Sequence, residues 1–366
     1  MDTDNPIEEK EEPIHTPESI EPKKRSWLKI IFLTILVLGG IVAGAGYYFY
    51  NRAFGPTIQL AEDHIFTIPG NSTIASLGKL LAEEKVISDE SSFNWTANQM
   101  SFKIKSGKYR IPANTKSNYD LVKVFRNKQL TIKLTFHNFR LKEQLAGHVA
   151  KQIEADSLSI LALMNDVTYL DEIGYTPENI MTIFIPNTYE VYWNYSAEKL
   201  MERMLKEHEK FWSEDRQEKA KALGLSPIDI YTVASIVETE SNHKPERPTI
   251  AGVYLNRLRK GWHLEADPTV VFATGDFTIK RVLNRHLEVD SPYNTYKYPG
   301  IPPGPIYMAS ANAIDAVLNA QEHDYMFFCA KPQEAGQPAT HAFAKTHRAH
   351  INNAKRYQRW LNQQGY

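Results

Sequence analysis

Residues 30–50, IIFLTILVLGGIVAGAGYYFY, carry no charge. A helix over that run is roughly 31 Å long at about 1.5 Å per residue, the thickness of a hydrocarbon core. The pattern predicts one membrane helix over 26–52. Lys23, Lys24, Arg25 and Lys29 crowd its N-terminal flank, and Arg52 stands alone beyond it. That asymmetry places residues 1–25 in the cytoplasm and the rest outside, with Tyr47, Tyr48 and Tyr50 at the outer interface. The run exceeds the apolar segment of a secretory signal and no small-x-small cleavage pattern follows it, so it reads as an uncleaved anchor. Residues 1–22 are rich in Glu, Pro and Asp and read as a disordered tail.

Beyond the span the pattern becomes mixed. Residues 53–63 read as a short linker. Short β-like runs, HIFTIP and YRIP, bracket a helix that starts near Ser72–Thr73 and carries Ile74, Leu77, Leu80 and Leu81 on one face. A second short helix is expected from Asn118 to Asn127. Residues 60–130 thus form one small unit. From 131 onward the pattern gives a strand (TIKLTFHNF), two helices (LKEQLAGHVAKQI and SLSILALMN), a loop over 184–193 and a long amphipathic helix from Ser196 to about Leu223. The fold class expected is α+β, with a larger mixed domain over 131–366.

Ser226, Pro227 and Asp229 make a helix start with a capping box. Ile230, Val233, Ala234 and Val237 follow at helical spacing. Glu238 and Glu240 then fall on opposite edges of that buried stripe, in the last turn. Partial burial and the negative end of the helix dipole both raise a carboxylate pKa there, which suits a general acid. Spacing alone does not choose between the two. A second helix over 250–261 brings Tyr254, Asn256, Arg257 and Arg259, then ADPTVVFATGD gives a loop and a helix. SPYNTYKYPGIPPGPI (291–306) is dense in proline and glycine and predicts an extended, stiff loop.

Composition narrows the chemistry. The net charge is −1 over 366 residues, which gives no general field for nucleic acid. Cys329 is the sole cysteine, so no intramolecular disulfide is available. The chain has no Cys-x-x-Cys, no phosphate-binding glycine loop and no H-E-x-x-H. His341, His347 and His350 have no acidic or thiol companion at metal-binding spacing, so neither metal nor cofactor is expected.

The motifs ASIVETES, ERPTIAGVYLNRLRKG, ADPTVVFATGD and SPYNTYKYPGIPPGPI, in that order, resemble the YceG-like family of endolytic murein transglycosylases. The resemblance covers about residues 60–360. It implies that Glu238 is the single catalytic glutamate and that Asp267, Thr269, Tyr293, Asn294 and Tyr296 line a glycan cleft. It implies further contacts from Glu190, Glu240 and His341, and a LysM-like subdomain over 60–130. Three departures are visible. Tyr307-Met308-Ala309-Ser310 stands where the family usually has a Cys or Ser and then Asn-Pro-Gly, a change expected to touch loop shape and not proton chemistry. Ser241 replaces a glycine, and FHNFRLKEQL lacks the usual proline and glycine.

The resemblance implies cleavage of the MurNAc-β-1,4-GlcNAc bond within peptidoglycan glycan strands. One glutamate would protonate the glycosidic oxygen and then accept the proton of the attacking MurNAc C6 hydroxyl, leaving a 1,6-anhydro end. It also implies a place at the inner membrane, with the catalytic part periplasmic, beside the peptidoglycan synthases of the elongation machinery. Two other readings stay open here. One is a membrane-anchored peptidoglycan-binding scaffold without catalysis. The other is a hydrolase with Glu240, Glu265 or Asp267 as second carboxylate.

Overall fold

The computed structural model describes residues 24–127, 129–333 and 336–364; the tail expected over 1–25 lies almost wholly outside them. The chain divides into two compact units. One holds the N-terminal segment to Ala61, Ile74–Phe102 and Ala113–Lys123. The other holds Glu62–Thr73, Lys103–Pro112 and everything from Val124.

The first unit contains α1 (Lys24–Phe54), α2 (Ile74–Glu83), α3 (Glu90–Gln99) and the start of α4 (Asn118–Arg126). In α1, Trp27–Phe54 is long and apolar enough to cross a bilayer. Its apolar side chains, Leu33, Ile35 and Ile41 among them, are exposed, as lipid-facing residues are. The segment after it is not a free linker. Arg52 Nη2 donates to Ser91 Oγ at 2.7 Å, and the Arg52 carbonyl accepts from Thr96 Oγ1 and Asn118 Nδ2. Ala53 and Ile58 are buried, and Ile58 makes an antiparallel bridge with Ile87. The pattern also concealed α3, because ESSFNWTANQ is made of weak helix formers. Asp89 caps it by accepting from the Ser91 N–H, and Phe93 and Ala97 bury one side.

In the second unit, β1 (His64–Ile68) pairs antiparallel with β2 (Gly107–Ile111). The strand β3 (Thr131–Thr135) pairs antiparallel with β4 (Thr188–Tyr192), so part of the expected 184–193 loop is a strand. Around this ribbon lie α5 (Lys142–Ala150), α6 (Ser157–Leu163), α7 (Val167–Glu172) and α8 (Ala197–Phe211), with Leu134, Leu145, Ile160, Phe184 and Met204 in the shared core. The long helix expected over 196–223 is two helices. It breaks at Trp212 and Ser213, and α9 (Glu214–Leu223) ends on Gly224 in the left-handed region at φ +73°.

The second core is built on α10 (Pro227–Glu240), which starts with the expected Ser226–Asp229 capping box. Every residue from Ile230 to Val237 is buried, so α10 is a central helix and not a half-exposed one. It packs on α11 (Arg247–Arg259), α12 (Asp267–Thr274) and α14 (Ala311–Leu318). The short α13 (Asn284–Leu287) follows α12. The strands β5 (Phe327–Ala330) and β6 (His341–Ala344) form an antiparallel hairpin, and α15 (His347–Gln363) packs on it. Mixed helices and small sheets make this an α+β fold.

Candidate active site

The C-terminal turn of α10 presents two carboxylates in opposite circumstances. Glu238 is fully engaged. Arg247 Nη2 donates to its Oε1 at 2.8 Å and Nη1 to its Oε2 at 3.1 Å. The backbone N–H of Ser310 donates to Oε2 at 3.1 Å, and the Ser310 hydroxyl donates to the same oxygen. Arg247 is 3% exposed and the Glu238 side chain 13%. The bidentate guanidinium fixes the orientation of the carboxylate, and Oε2 accepts three hydrogen bonds. Glu238, the residue expected to be the proton donor, lines neither of the hollows described next; its carboxylate is bound to Arg247 and Ser310 instead.

Glu240 is the carboxylate that faces open space. It sits where two hollows meet. One, of about 420 Å³, is lined by Arg257, Glu265, Asp267, Tyr296, His341 and His350 among others. The second, of about 440 Å³, is lined by Ser241, Asn242, His243, Thr340 and His341. Glu240, Ala330 and His341 belong to both. Burial raises the Glu240 pKa to about 7; the 2.7 Å hydrogen bond from the Tyr254 hydroxyl and the charge of His341 pull it down, and nearby Asp267 pushes it up. A carboxyl group poised near neutrality can both give and take a proton. Tyr254 is itself buried and held far above its ordinary pKa by that burial and by Glu240, so it stays a hydrogen-bond donor.

Asp267 and Tyr296 meet in the first hollow, the tyrosine hydroxyl donating to Asp267 Oδ1 at 2.7 Å. Burial and that carboxylate both raise the tyrosine pKa. Arg257 is buried and donates to the carbonyls of Met326, His263 and Leu264 and to Glu265 Oε2 at 2.8 Å. Glu265 takes φ +50°, a left-handed conformation that costs a non-glycine residue about 1 kcal/mol and is held here by that ion pair. His347 and His350 line the same hollow from the start of α15. Burial lowers the His350 pKa. Among the described residues no cluster suits a metal ion.

Four expected contact residues therefore gather here: Asp267, Tyr296, Glu240 and His341. Four do not. Thr269 is fully buried, its hydroxyl donating to the Ala266 carbonyl at 2.7 Å and bonded to Thr295 Oγ1 at 2.8 Å. Asn294 is fully buried; its Nδ2 donates to the carbonyls of Leu287 and Val289, and its Oδ1 accepts from the Tyr296 N–H. Both are pins of the 291–306 loop. Tyr293 packs its ring on Phe272 at 4.7 Å, and burial pushes its pKa to about 12. Glu190 lies exposed on β4, in register with Lys133. The replacement at Ser310 also reaches further than loop shape, since that residue grips Glu238. Sequence reasoning missed Glu246 and Arg247. The only trace of them is a Glu-Arg pair just before a helix-starting proline, where both charges prove to be buried.

Residues 66–356 match the YceG-like family, and the chain belongs to it. A Bacillus subtilis (strain 168) protein named endolytic murein transglycosylase is 27% identical over 340 residues, covering 87% of this chain and 91% of that one. A Streptococcus pneumoniae (strain D39) protein of the same name is 23% identical over 346 residues, and the match covers 84% of this chain but only 62% of the pneumococcal one. A crystal structure of a YceG-like protein from Listeria monocytogenes, 28% identical, superposes with a TM-score of 0.51 over 80% of this chain and 99% of that chain.

Proposed function

We propose that this protein is a membrane-anchored lytic transglycosylase that cuts within peptidoglycan glycan strands. The observation that carries the reading is the position of Glu240, poised near neutral pH at the junction of two hollows. A polymer lying through both hollows puts an internal bond beside Glu240, which is the requirement for endolytic cutting. The relatives named endolytic murein transglycosylase support the substrate class.

Protonated Glu240 donates to the oxygen of the MurNAc-β-1,4-GlcNAc bond as positive charge develops at C1. The MurNAc C6 hydroxyl closes on C1, giving a 1,6-anhydro end without uptake of water. Tyr254 orients the glutamate, and Asp267 with Tyr296 offers hydrogen bonds to sugar hydroxyls. The strand–helix–helix–strand order β1–α2–α3–β2 along the chain is what supports a LysM-like reading of residues 60–130, its helices and strands falling in different compact units. The charge flanks of α1 support an N-terminus in the cytoplasm and the remainder outside, where nascent strands beside the synthases are within reach.

The test is mass analysis of material released from purified sacculi by the full chain in detergent. Anhydro-ended fragments support the reading. Fragments heavier by one water mean a hydrolase, the second reading, which Asp267 favours by sharing a hollow with Glu240. No release means a binding scaffold.

A further inference from the structure

His341 is prepared as carefully as Glu240, and lytic chemistry with one glutamate gives it nothing to do. Its Nδ1 lies 2.8 Å from Glu246 Oε2, and its backbone N–H donates to Glu246 Oε1 at 2.7 Å. Glu246 is itself only 9% exposed and also accepts from Ser241 Oγ. Burial alone pushes a carboxyl pKa up, but the hydrogen bonds from the His341 ring and backbone and from Ser241 outweigh that and hold Glu246 low. Glu246 is therefore an ionised acceptor, and Nδ1 must carry the hydrogen. In the neutral ring this leaves a lone pair on Nε2. That atom has no hydrogen-bond partner among the described residues, while His341 borders both hollows beside Glu240. The ring stands edge to face on Phe328 at 5.3 Å, which fixes its plane. A carboxylate that sets a tautomer and aims an imidazole is how a general base is built.

We propose that His341, oriented by Glu246, is the catalytic base that takes the proton of the attacking sugar hydroxyl, so that acid and base roles are divided between Glu240 and His341. This inference rests on the transglycosylase reading. In the reaction, the C1–oxygen bond to the next sugar breaks first, leaving an oxocarbenium-like C1, and the C6 oxygen then bonds to C1 from the face the leaving oxygen vacates. The hydroxyl proton passes to His341 Nε2, and the Glu240 proton passes to the leaving oxygen. The net change is one proton moved from attacking to leaving oxygen. The imidazolium and the Glu240 carboxylate are then reset by proton exchange through water in the open hollows. Glu246 acts through His341 and is a positioning residue.

The experiment measures turnover of glycan strands by the full chain in detergent, with His341→Ala, Glu246→Gln and Glu240→Gln. We expect His341→Ala to lower kcat by about 10²–10⁴-fold, the usual worth of a general base, with KM little changed. Added imidazole should restore part of the lost rate to His341→Ala and none to Glu240→Gln. Glu246→Gln should lower kcat with KM unchanged, since an amide can present the wrong hydrogen to Nδ1. Wild-type turnover in His341→Ala overturns the proposal. So does a loss expressed as raised KM, or one that imidazole does not relieve. If Glu246→Gln fails to fold, the His341→Ala result decides alone. If the wild-type chain releases no anhydro-ended product, the functional reading itself falls, and this inference with it.

Discussion

Arg247 closes both oxygens of Glu238, and its own Nε donates to the Ser241 carbonyl at 3.1 Å, so one buried guanidinium ties the last turn of α10 to the residue that ends it. Removing one partner of a buried ion pair strands the other charge, at a cost of about 3–5 kcal/mol. Glu238→Ala should therefore lower stability by roughly that amount in chemical denaturation. Glu238→Gln keeps an acceptor for Arg247 and should still cut glycan. Complete loss of cutting in a folded Glu238→Gln variant would return the proton chemistry to Glu238.

Glu240→Gln should abolish cutting in a folded protein, a loss of about 10²–10⁴-fold or more. Circular dichroism and turnover measured on one preparation check both halves of that statement.

The raised pKa of Glu240 has a signed consequence. Its folded value of about 7 lies above the ordinary 4.5, so the folded state holds a proton that the unfolded chain releases. The contribution to stability is whole below pH 4.5 and falls as pH rises to about 7. Melting temperatures of the wild type and Glu240→Gln at pH 5 and pH 8 should differ in slope, the variant losing less on the way up. Parallel slopes would mean that the carboxyl titrates normally.

Much of this was legible in the residues. The capping box at Ser226 and the membrane-length run announced α10 and α1, because caps and long apolar stretches are local signals. The different surroundings of Glu238 and Glu240 were not legible. What separates them is a guanidinium nine residues on and a serine 72 residues on, and no local pattern reports such partners. The burial of Thr269 and Asn294 was hidden for a related reason. A polar residue beside a stiff loop looks like a sugar contact until neighbouring backbone and side chains are seen to take up its hydrogen bonds.

That burial predicts a contrast. Asn294→Ala removes three hydrogen bonds from a fully buried side chain and should cost about 2–4 kcal/mol. Asp267→Ala, in the open hollow, should leave the melting temperature nearly unchanged and lower turnover. Equal stability in both variants would argue that the 291–306 loop holds itself by other means.

Truncation tests the join between α1 and its unit. A chain starting at Asn51 keeps the contacts of Arg52 with Ser91, Ser92, Thr96 and Asn118. One starting at Gly55 loses them. The shorter chain should be cut far faster by protease in α3, while the longer one resists. Equal resistance would show that the end of α1 is dispensable for the unit.

Glu238 and Glu240 are separated by a single residue, Thr239, whose hydroxyl is bound back to the carbonyls of Ser235 and Ile236. On a helix two positions turn the side chain by about 200°, so one carboxylate faces protein and the other faces solvent. There is no slack between the two carboxylates. Mutational tolerance here should therefore depend on chain length more than on side-chain identity. Thr239 can be exchanged for other helix formers, but adding or deleting one residue between 238 and 240 would swing the reactive group by about 100° into the interior.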